Sequence, residues 1–292
     1  MSRKRPVLVA LLLTVLIAAF YLVWNSRPEP DYGRKLLVFS KTVEYRHESI
    51  AAGIEAIAKL GAEGTFNVVA SEDASVFNEE SLSAFQTVVF LNTTGDVLDL
   101  EQQVAFERYI QAGGGFVGIH AAADTEWKQV DDGTYWPWYQ RLVGGVFAAH
   151  PESSDQRGEL TVRDNSHPAT QSLPETWEVS DEWYDFQRMS AAVNVLVTVD
   201  ESSYTGATMG AGKEHPVAWY RPFDGGRSFY MALGHSEASF ANPHVLGLLR
   251  GGIAYAMGDG AALDYSRSRP DAWRFSRRVL DSNLNEPLKL TF

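Results

Sequence analysis

Strand and helix patterns alternate along the first half of the chain. Apolar runs of five or six residues predict strands that are buried on both faces, at 35–40, 66–70, 87–92 and 116–120. Between these runs lie helix candidates at 49–60, 80–84 and 100–112, and a glycine follows each of the two longer ones. This alternation predicts an α/β fold with a mostly parallel sheet and right-handed crossovers.

The second half of the chain is predicted to be richer in strands. Further apolar runs indicate strands at 158–162, 194–199, 217–220 and 227–233. A helix over 243–256, apolar on nearly all sides, closes the domain. Because the sequence contains no internal repeat, we expect one α/β domain over residues 35–258.

An apolar segment precedes this domain. Residues 7–24 form an uncharged run of 18 residues, and three basic residues stand before it at 3–5. About 17–25 apolar residues span a bilayer core, and basic flanking residues stay in the cytoplasm. We therefore expect residues 1–25 to anchor the chain in the inner (cytoplasmic) membrane, with a linker over 26–34 and the domain outside the cytoplasm. A cleaved secretion signal is the alternative, because the lengths of the two kinds of segment overlap.

Composition excludes several classes of protein. Hydrophobic residues make up 45% of the chain, enough for a sizeable core, and the formal net charge of −12 opposes non-specific binding to nucleic acid. The sequence has no cysteine, which excludes a disulfide scaffold, a thiolate zinc site and a cysteine nucleophile. Catalytic groups and metal ligands must therefore come from other side chains.

Polar and ionisable side chains follow four of the predicted strands. Open α/β sheets bind ligands beyond the carboxyl ends of their strands, where such side chains meet. The candidates at these ends are Arg46, His47, Asn92, His120, Asp124 and His235. His150 and the acidic, aromatic segment 180–184, which contains Glu182 and Tyr184, add further candidates. We expect these residues to form one ligand site.

Imidazole and carboxylate groups dominate this set. We expect His120, His150 and His235 to act as general acids and bases or as metal ligands, with Glu182 as the partner carboxylate. Such ligands suit zinc, manganese or iron, although no H-x-x-x-H spacing places two of them on one helix. For every histidine the alternative is a structural, hydrogen-bonded residue. Three others, each next to a proline, are assigned structural positions: His167, His215 and His244.

Seven of the candidates are of residue types that contact sugars directly. Aromatic rings pack on the apolar faces of pyranose rings, while polar groups bind the hydroxyls. The predicted substrate contacts are Arg46, His47, Asn92, Asp124, Trp136, Trp138 and Tyr184. For Trp136 and Trp138 the alternative is a hydrophobic plug within a long loop, and for Arg46 it is an ordinary surface charge.

Several motifs resemble those of the ThuA-like, trehalose-utilisation family. They are T-x-x-x-R-H-x-S-I at 42–50, G-G-F-V-G-I-H at 114–120, W-P-W-Y then G-G-x-F-x-x-H-P at 136–151, H-P-A-T…L-P at 167–174, D-E-W-Y at 181–184 and G-R-x-F-Y-x-x-L-G-H at 226–235. The motifs follow one another in the same order as in the family, and the resemblance covers about residues 35–257. It implies a three-layer, flavodoxin-like fold related to class I glutamine amidotransferases, and a setting in sugar metabolism.

The amidotransferase chemistry of the related superfamily is excluded here. The resemblance implies that the nucleophilic cysteine of a G-x-C-x-G elbow would stand at position 120, within Gly118–Ala122. That position holds His120, and imidazole is a poor acyl acceptor in this role. We therefore expect carbohydrate chemistry, by a lyase, hydrolase or isomerase, rather than glutaminase chemistry.

The C-terminal extension, residues 259–292, suggests a partner. Its V-L-x-x-x-L-N-E-P motif, at 279–287, resembles the lead-in to a propeller-type sugar dehydrogenase domain in some larger ThuA-like proteins. Two hypotheses follow. The first is a membrane-anchored enzyme acting on a sugar or keto-glycoside, and the second is a non-catalytic carbohydrate-binding or scaffold domain that serves a sugar-oxidising partner.

Overall fold

A nine-stranded sheet forms the centre of the fold. The computed structural model describes residues 33–64, 66–127, 136–206 and 215–269. The predicted anchor, most of the predicted linker and residues 270–292 of the predicted extension lie outside the described residues. Within the described ranges, no helix combines the length and apolar character needed to cross a membrane.

Eleven strands and five α-helices are present in the described part of the chain. The strands are β1 (Lys35–Phe39), β2 (Asn67–Ser71), β3 (Thr87–Leu91), β4 (Gly115–Ile119), β5 (Gly145–Ala149), β6 (Gln156–Val162), β7 (Thr176–Asp181), β8 (Asp185–Met189), β9 (Asn194–Val199), β10 (His215–Phe223) and β11 (Gly226–Met231). The helices are α1 (Ile50–Gly64), α2 (Glu79–Leu82), α3 (Leu100–Gln111), α4 (Pro137–Val143) and α5 (Pro243–Met257).

The large sheet has a parallel half and an antiparallel half. Its spatial order is β2-β1-β3-β4-β11-β10-β9-β6-β7, and the pairs from β2 through β11 are parallel while those from β11 through β7 are antiparallel. The expectation of a mostly parallel sheet therefore holds only for the first half. The direction reverses at the β10–β11 hairpin, where Asp224 and Gly225 both have positive φ angles, as a tight two-residue turn requires. Strands β5 and β8 form a separate antiparallel pair.

Helices cover both faces of the parallel half. Successive side chains of a strand point to opposite faces. Phe90 of β3 stacks on Phe106 of α3, and Phe116 of β4 contacts Tyr139 of α4. On the other face, helix α5 lies close to β11, because a Cβ at Gly252 would come within 2.4 Å of the Phe229 ring. The parallel half is thus a helix–sheet–helix sandwich with aromatic side chains between its layers.

The carboxyl ends of the parallel strands open onto loops that carry ionisable side chains. The loop from β1 to α1 contains His47, and His120 starts a short 3₁₀ turn directly after β4. His235 follows β11, and Glu182 lies in the short connection from β7 to β8. The topology therefore delivers side chains from both halves of the sheet to one place.

Candidate active site

Four side chains from distant parts of the sequence meet beyond these strand ends. One ligand atom from each of His47, His120, Glu182 and His235 lies within 4.8 Å of the others. The first three are buried and His235 is partly exposed. We refer to these four residues as the histidine cluster. All four are among the residues that the sequence analysis selected.

Glu182 lies at the centre of the histidine cluster. Its Oε2 atom is 3.4 Å from Nε2 of His120 and 3.3 Å from Nδ1 of His235. Burial alone would raise the pKa of Glu182, but its interactions with His120 and His235 outweigh burial and hold the pKa well below its usual range. The same interaction raises the pKa of His235. Glu182 is therefore a carboxylate at neutral pH.

His47 enters the cluster as a neutral ring. Burial, followed by the nearby His120 and His235, lowers the pKa of His47 to about 3. Its ring stands edge-on to those of His120 and His235, with centroids 4.9 and 5.3 Å away. At neutral pH the ring therefore has a nitrogen lone pair, as a metal ligand requires.

Hydrogen bonds to the backbone define the tautomer of His120. Its Nδ1 lies 2.6 Å from the carbonyl oxygen of Ala232. Because a carbonyl oxygen can only accept, Nδ1 carries the proton, and in the neutral ring Nε2 has a lone pair. The ring packs on Tyr184 with centroids 4.1 Å apart, and the Tyr230 hydroxyl donates to the carbonyl of His120. His120 thus presents Nε2, the lone-pair nitrogen, to Glu182.

One buried ring nitrogen of each histidine in the histidine cluster lacks a hydrogen-bond partner among the described residues. These atoms are Nε2 of His120, Nδ1 of His235 and Nδ1 of His47, and the first two lie within ion-pair distance of Glu182. The separations from Glu182 are ion-pair distances without hydrogen-bond geometry. A cation bound by these atoms would satisfy the lone pairs and the carboxylate together, and imidazole with carboxylate is a donor set that zinc, manganese and iron accept. The residues present therefore fit a divalent metal.

Comparison with known families identifies the chain. The sequence profile of the ThuA, trehalose utilisation, family matches residues 35–256. The chain belongs to the ThuA family. None of the curated proteins matches it.

Solved structures of other ThuA-like proteins share the fold. A putative ThuA-like protein from Bacteroides uniformis is 24% identical with a TM-score of 0.61, over 77% of this chain and 92% of that one. One from Parabacteroides merdae is 22% identical with a TM-score of 0.61, over 78% and 91%. A β-galactosidase from Bacillus circulans sp. alkalophilus is 14% identical with a TM-score of 0.50, over 80% of this chain and 32% of that one. At these identities the likeness shows the fold.

The residue directly after β4 has an unusual backbone conformation in this ThuA-family chain. His120 has a φ angle of 48°, which is uncommon for a residue other than glycine. This residue begins the 3₁₀ turn that follows β4. The residue that follows β4 therefore has a left-handed backbone conformation and carries an imidazole side chain.

Asp181 forms hydrogen bonds to the two segments that carry Glu182 and His235 in the ThuA site. Its Oδ1 accepts hydrogen bonds from the backbone N–H groups of Glu182, at 2.9 Å, and His235, at 3.1 Å. Its Oδ2 accepts from the N–H of Gly234, at 2.9 Å, and from the Ser239 hydroxyl, at 2.7 Å. Asp181 is fully buried. The sequence analysis did not select it, although it stands directly before Glu182 in the D-E-W-Y motif.

His150 lies beside the histidine cluster without joining it. Its Nδ1 is 3.3 Å from Oε1 of Glu182 and 2.8 Å from the carbonyl oxygen of Pro151. The carbonyl requires a proton on Nδ1, so that nitrogen cannot be a metal ligand. The side chain is 39% exposed. In the neutral ring Nε2 has the lone pair, as in His120, but His150 is not among the residues whose ligand atoms lie within 4.8 Å of one another. The structure therefore places His150 next to the histidine cluster, and its roles in proton transfer and in metal binding both stay predictions.

Two predicted substrate contacts point away from the site. Trp136 is 0% exposed and donates from Nε1 to Glu107, and Trp138 is 4% exposed and donates to Asp224. Their rings stack on each other with centroids 5.3 Å apart. Neither ring presents a free face, so the structure replaces the predicted sugar contact with the alternative of an internal hydrophobic plug.

The remaining predicted contacts have structural partners. Asn92 is fully buried, and its Nδ2 donates to Ser49 Oγ and to the carbonyl of Gly234. Arg46 is an exposed side chain paired with Glu72 at 2.6 Å. Asp124 accepts from Nε1 of Trp127, and Tyr184 is a buried ring behind His120. For Asn92, Arg46 and Tyr184 the structure therefore favours positioning or surface roles over direct sugar contact.

Proposed function

We propose that this ThuA-family chain is a metal-dependent enzyme that acts on a sugar or keto-glycoside by acid/base chemistry. The observation that carries the proposal is the histidine cluster, in which three imidazole rings lie close to an ionised carboxylate and one buried nitrogen of each ring has no hydrogen-bond partner among the described residues. A bound divalent cation would supply Lewis acidity at this point.

His150 is the group that moves the proton. With Nδ1 held by the carbonyl of Pro151, the neutral ring has its lone pair on Nε2, which can accept a proton. The ring is partly exposed to solvent and adjoins Glu182. It can therefore reach a substrate at the histidine cluster and exchange protons with water, as a general base must.

Removal of a proton from the carbon beside a ketone fits these groups best. His150 would accept that proton, and a divalent cation held by the histidine cluster would stabilise the negative charge that develops on the ketone oxygen. If the proton returns to a neighbouring carbon, the enzyme is an isomerase. If the glycosidic oxygen on the next carbon leaves with the electron pair instead, the enzyme is a lyase.

An exposed ring beside the histidine cluster supports a sugar substrate. Tyr45 is 63% exposed and stands edge-on to His47, with centroids 4.8 Å apart. Its backbone is held in place, because the Thr94 hydroxyl donates to the carbonyl of Tyr45 at 2.9 Å. An aromatic face that is open to solvent at a fixed position suits packing on a pyranose ring. Tyr45 takes the role that the sequence analysis gave to Trp136 and Trp138.

The experiment that tests this function is a turnover assay on the metal-loaded protein with keto-disaccharides and ordinary disaccharides. We expect turnover of a keto-disaccharide, and we expect His150→Asn to lower kcat by about 100-fold with the metal content unchanged. His244→Asn, a histidine on α5, is the matched control. Absence of turnover across the panel would contradict the enzyme proposal. Sugar binding without turnover would support the alternative, a carbohydrate-binding or scaffold domain.

We also propose a cellular location and a partner for this activity, and both proposals rest on the sequence. We propose that residues 1–25 anchor the chain in the inner membrane with the ThuA domain outside the cytoplasm. We further propose that residues 259–292 contact a sugar-oxidising dehydrogenase, which would supply the ketone on which the site acts.

A further inference from the structure

A second group of side chains that could bind a metal ion adjoins the backbone of Tyr184. Asp185, Glu201 and His215 are all buried, and one ligand atom from each lies within 4.8 Å of the others. They come from the start of β8, from a 3₁₀ turn after β9 and from the start of β10. We refer to these three residues as the inner cluster. None of them was a site candidate in the sequence, and His215 was assigned to a turn.

The tautomer of His215 follows from its backbone contact. Its Nε2 lies 2.8 Å from the carbonyl oxygen of Tyr184, so Nε2 carries a proton. In the neutral ring Nδ1 then has the lone pair. Nδ1 faces the Tyr204 hydroxyl at 2.9 Å and Oε1 of Glu201 at 3.2 Å. Nδ1 is therefore the ring nitrogen of His215 that faces the carboxylate of the inner cluster.

The burial of Glu201 also favours a bound cation in the inner cluster. The Glu201 side chain is 3% exposed, and its Oε2 has no hydrogen-bond partner within the described ranges. An uncompensated buried carboxylate is costly, whereas a metal-bound one is not.

We propose that Asp185, Glu201 and His215 bind a second divalent cation. One imidazole nitrogen and two carboxylate oxygens suit zinc or manganese. This cation would have a structural role, because all three ligands are buried. The proposal rests on the inner cluster alone and does not depend on the proposed function.

The inner cluster is connected to the first site through Tyr184. His215 donates to the backbone carbonyl of Tyr184, and the ring of Tyr184 packs on His120. Asp185 follows Tyr184 directly, and Glu182 lies three residues before Asp185. Metal binding at the inner cluster would therefore hold the segment that carries Glu182 and supports His120, as outer-sphere contacts do at other metal sites.

Metal stoichiometry tests the proposal. The full chain is stripped with a chelator, loaded with Zn²⁺ or Mn²⁺, freed of excess metal and analysed by mass spectrometry. We expect Glu201→Gln to hold one ion fewer per chain than wild type, and the exposed Glu159→Gln control to match wild type. Glu182→Gln should lose the ion of the histidine cluster and keep the inner one, and the Glu182→Gln/Glu201→Gln double variant should keep neither. These variants separate failure of one site from failure of the other.

An equal metal content in wild type and Glu201→Gln would overturn the proposal and assign the inner cluster to a buried imidazolium–carboxylate pair. Thermal melting of the wild type before and after chelation gives a second readout on the unmutated protein, in which we expect a higher melting temperature with metal. If Glu201→Gln does not fold, Asp185→Asn replaces it in the same comparison.

Discussion

At the scale of single residues, backbone carbonyls determine which nitrogen of each buried histidine faces a carboxylate. Nδ1 of His120 donates to Ala232, and Nε2 of His215 donates to Tyr184. In each ring the other nitrogen faces a carboxylate, that of Glu182 or Glu201. Metal-binding histidines commonly use their second nitrogen in this way. The two clusters thus share one arrangement even though they use different ring nitrogens.

Replacement of Tyr45 by alanine should weaken sugar binding without loss of metal. Removing the exposed aromatic face costs about 1 kcal/mol of packing energy, which corresponds to an affinity lower by about fivefold. Isothermal titration with a keto-disaccharide measures the change. Val43→Ala, at a nearby residue that is 56% exposed, is the control. Equal affinities of wild type and Tyr45→Ala would exclude Tyr45 from the sugar site.

Asp181→Asn should lower both the stability and the metal affinity of the first site. The side chain of Asp181 accepts four hydrogen bonds, and asparagine keeps one acceptor oxygen, but its NH2 group cannot accept from the N–H of Gly234. A hydrogen bond to a charged group contributes about 1.5–3 kcal/mol, so we expect the free energy of unfolding to fall by about 2–3 kcal/mol. Urea denaturation and metal titration measure the two effects. The exposed Asp259→Asn variant is the control. A stable variant with wild-type metal affinity would show that Asp181 does not position Glu182 and His235.

At the scale of elements, the sequence predicts the buried strands better than the exposed ones. The apolar runs mark β1, β3 and β4 to within about a residue, because a strand covered on both faces has no polar positions. Strands β7 and β8 carry only two apolar residues each, and the seven-residue helix α4 falls in a segment that was expected to be a loop, so none of them was predicted. The pairing of β10 with β11 had a local signal, Asp224-Gly225, but the order of the antiparallel half depends on contacts between distant segments.

The difference between the parallel and the antiparallel half also explains which site residues could be predicted from the sequence. His47, His120 and His235 follow strands of the parallel half, so the strand-end rule finds them. Glu182 was found from its acidic, aromatic segment. Asp185, Glu201 and His215 are brought together by the antiparallel half, whose order the sequence does not determine locally. They could not be recognised as a group.

Glu126 makes the stability of the protein depend on pH through its hydrogen bonds to α3 and to the residues just before it. Its Oε1 accepts from the N–H groups of Val97 and Leu98, just before α3, and its Oε2 accepts from Gln103 within α3. Burial raises the pKa of Glu126 to about 8, from 4.5 for the free side chain. Between these two values the folded chain holds a proton that the unfolded chain has lost. The free energy of unfolding should therefore fall as pH rises from 5 to 8, by up to about 4 kcal/mol.

Glu126→Gln should flatten this pH dependence, because glutamine does not titrate. Urea denaturation of wild type and variant at several values between pH 5 and pH 8 makes the comparison. Glu101→Gln, an exposed residue of α3, should leave the profile of the wild type unchanged. Parallel profiles for wild type and Glu126→Gln would mean that Glu126 is already ionised in the folded chain at pH 5.

At the scale of the whole molecule, the two halves of the sheet have different roles. The parallel half supplies His47, His120 and His235, and the connection from β7 to β8 in the second half supplies Glu182. Asp181 then joins the halves by hydrogen bonds to Gly234 and His235. Single-domain α/β proteins often bind ligands at such a strand-end edge. In this chain the edge is completed only when the antiparallel half has folded against the parallel one.

The proposed membrane anchor gives a prediction for the whole chain. We expect the full chain to stay in the membrane pellet after alkaline carbonate extraction, and a chain beginning at residue 33 to be released, because residues 7–24 are long enough to span a bilayer core. Cell fractionation followed by immunoblotting measures the distribution. Recovery of the full chain in the soluble fraction, with an N-terminus shortened by proteolysis, would favour the cleaved secretion signal instead.

The metal content of Glu182→Gln tests the central claim most directly. Glutamine keeps the shape of the side chain but removes the carboxylate on which the histidine cluster converges. Mass spectrometry of chains loaded with metal and freed of excess should find one divalent ion fewer per chain in Glu182→Gln than in wild type. The exposed Glu178→Gln variant of β7 should match wild type. Equal metal content in wild type and Glu182→Gln, or a wild type that retains no metal, would contradict a metal centre at the histidine cluster.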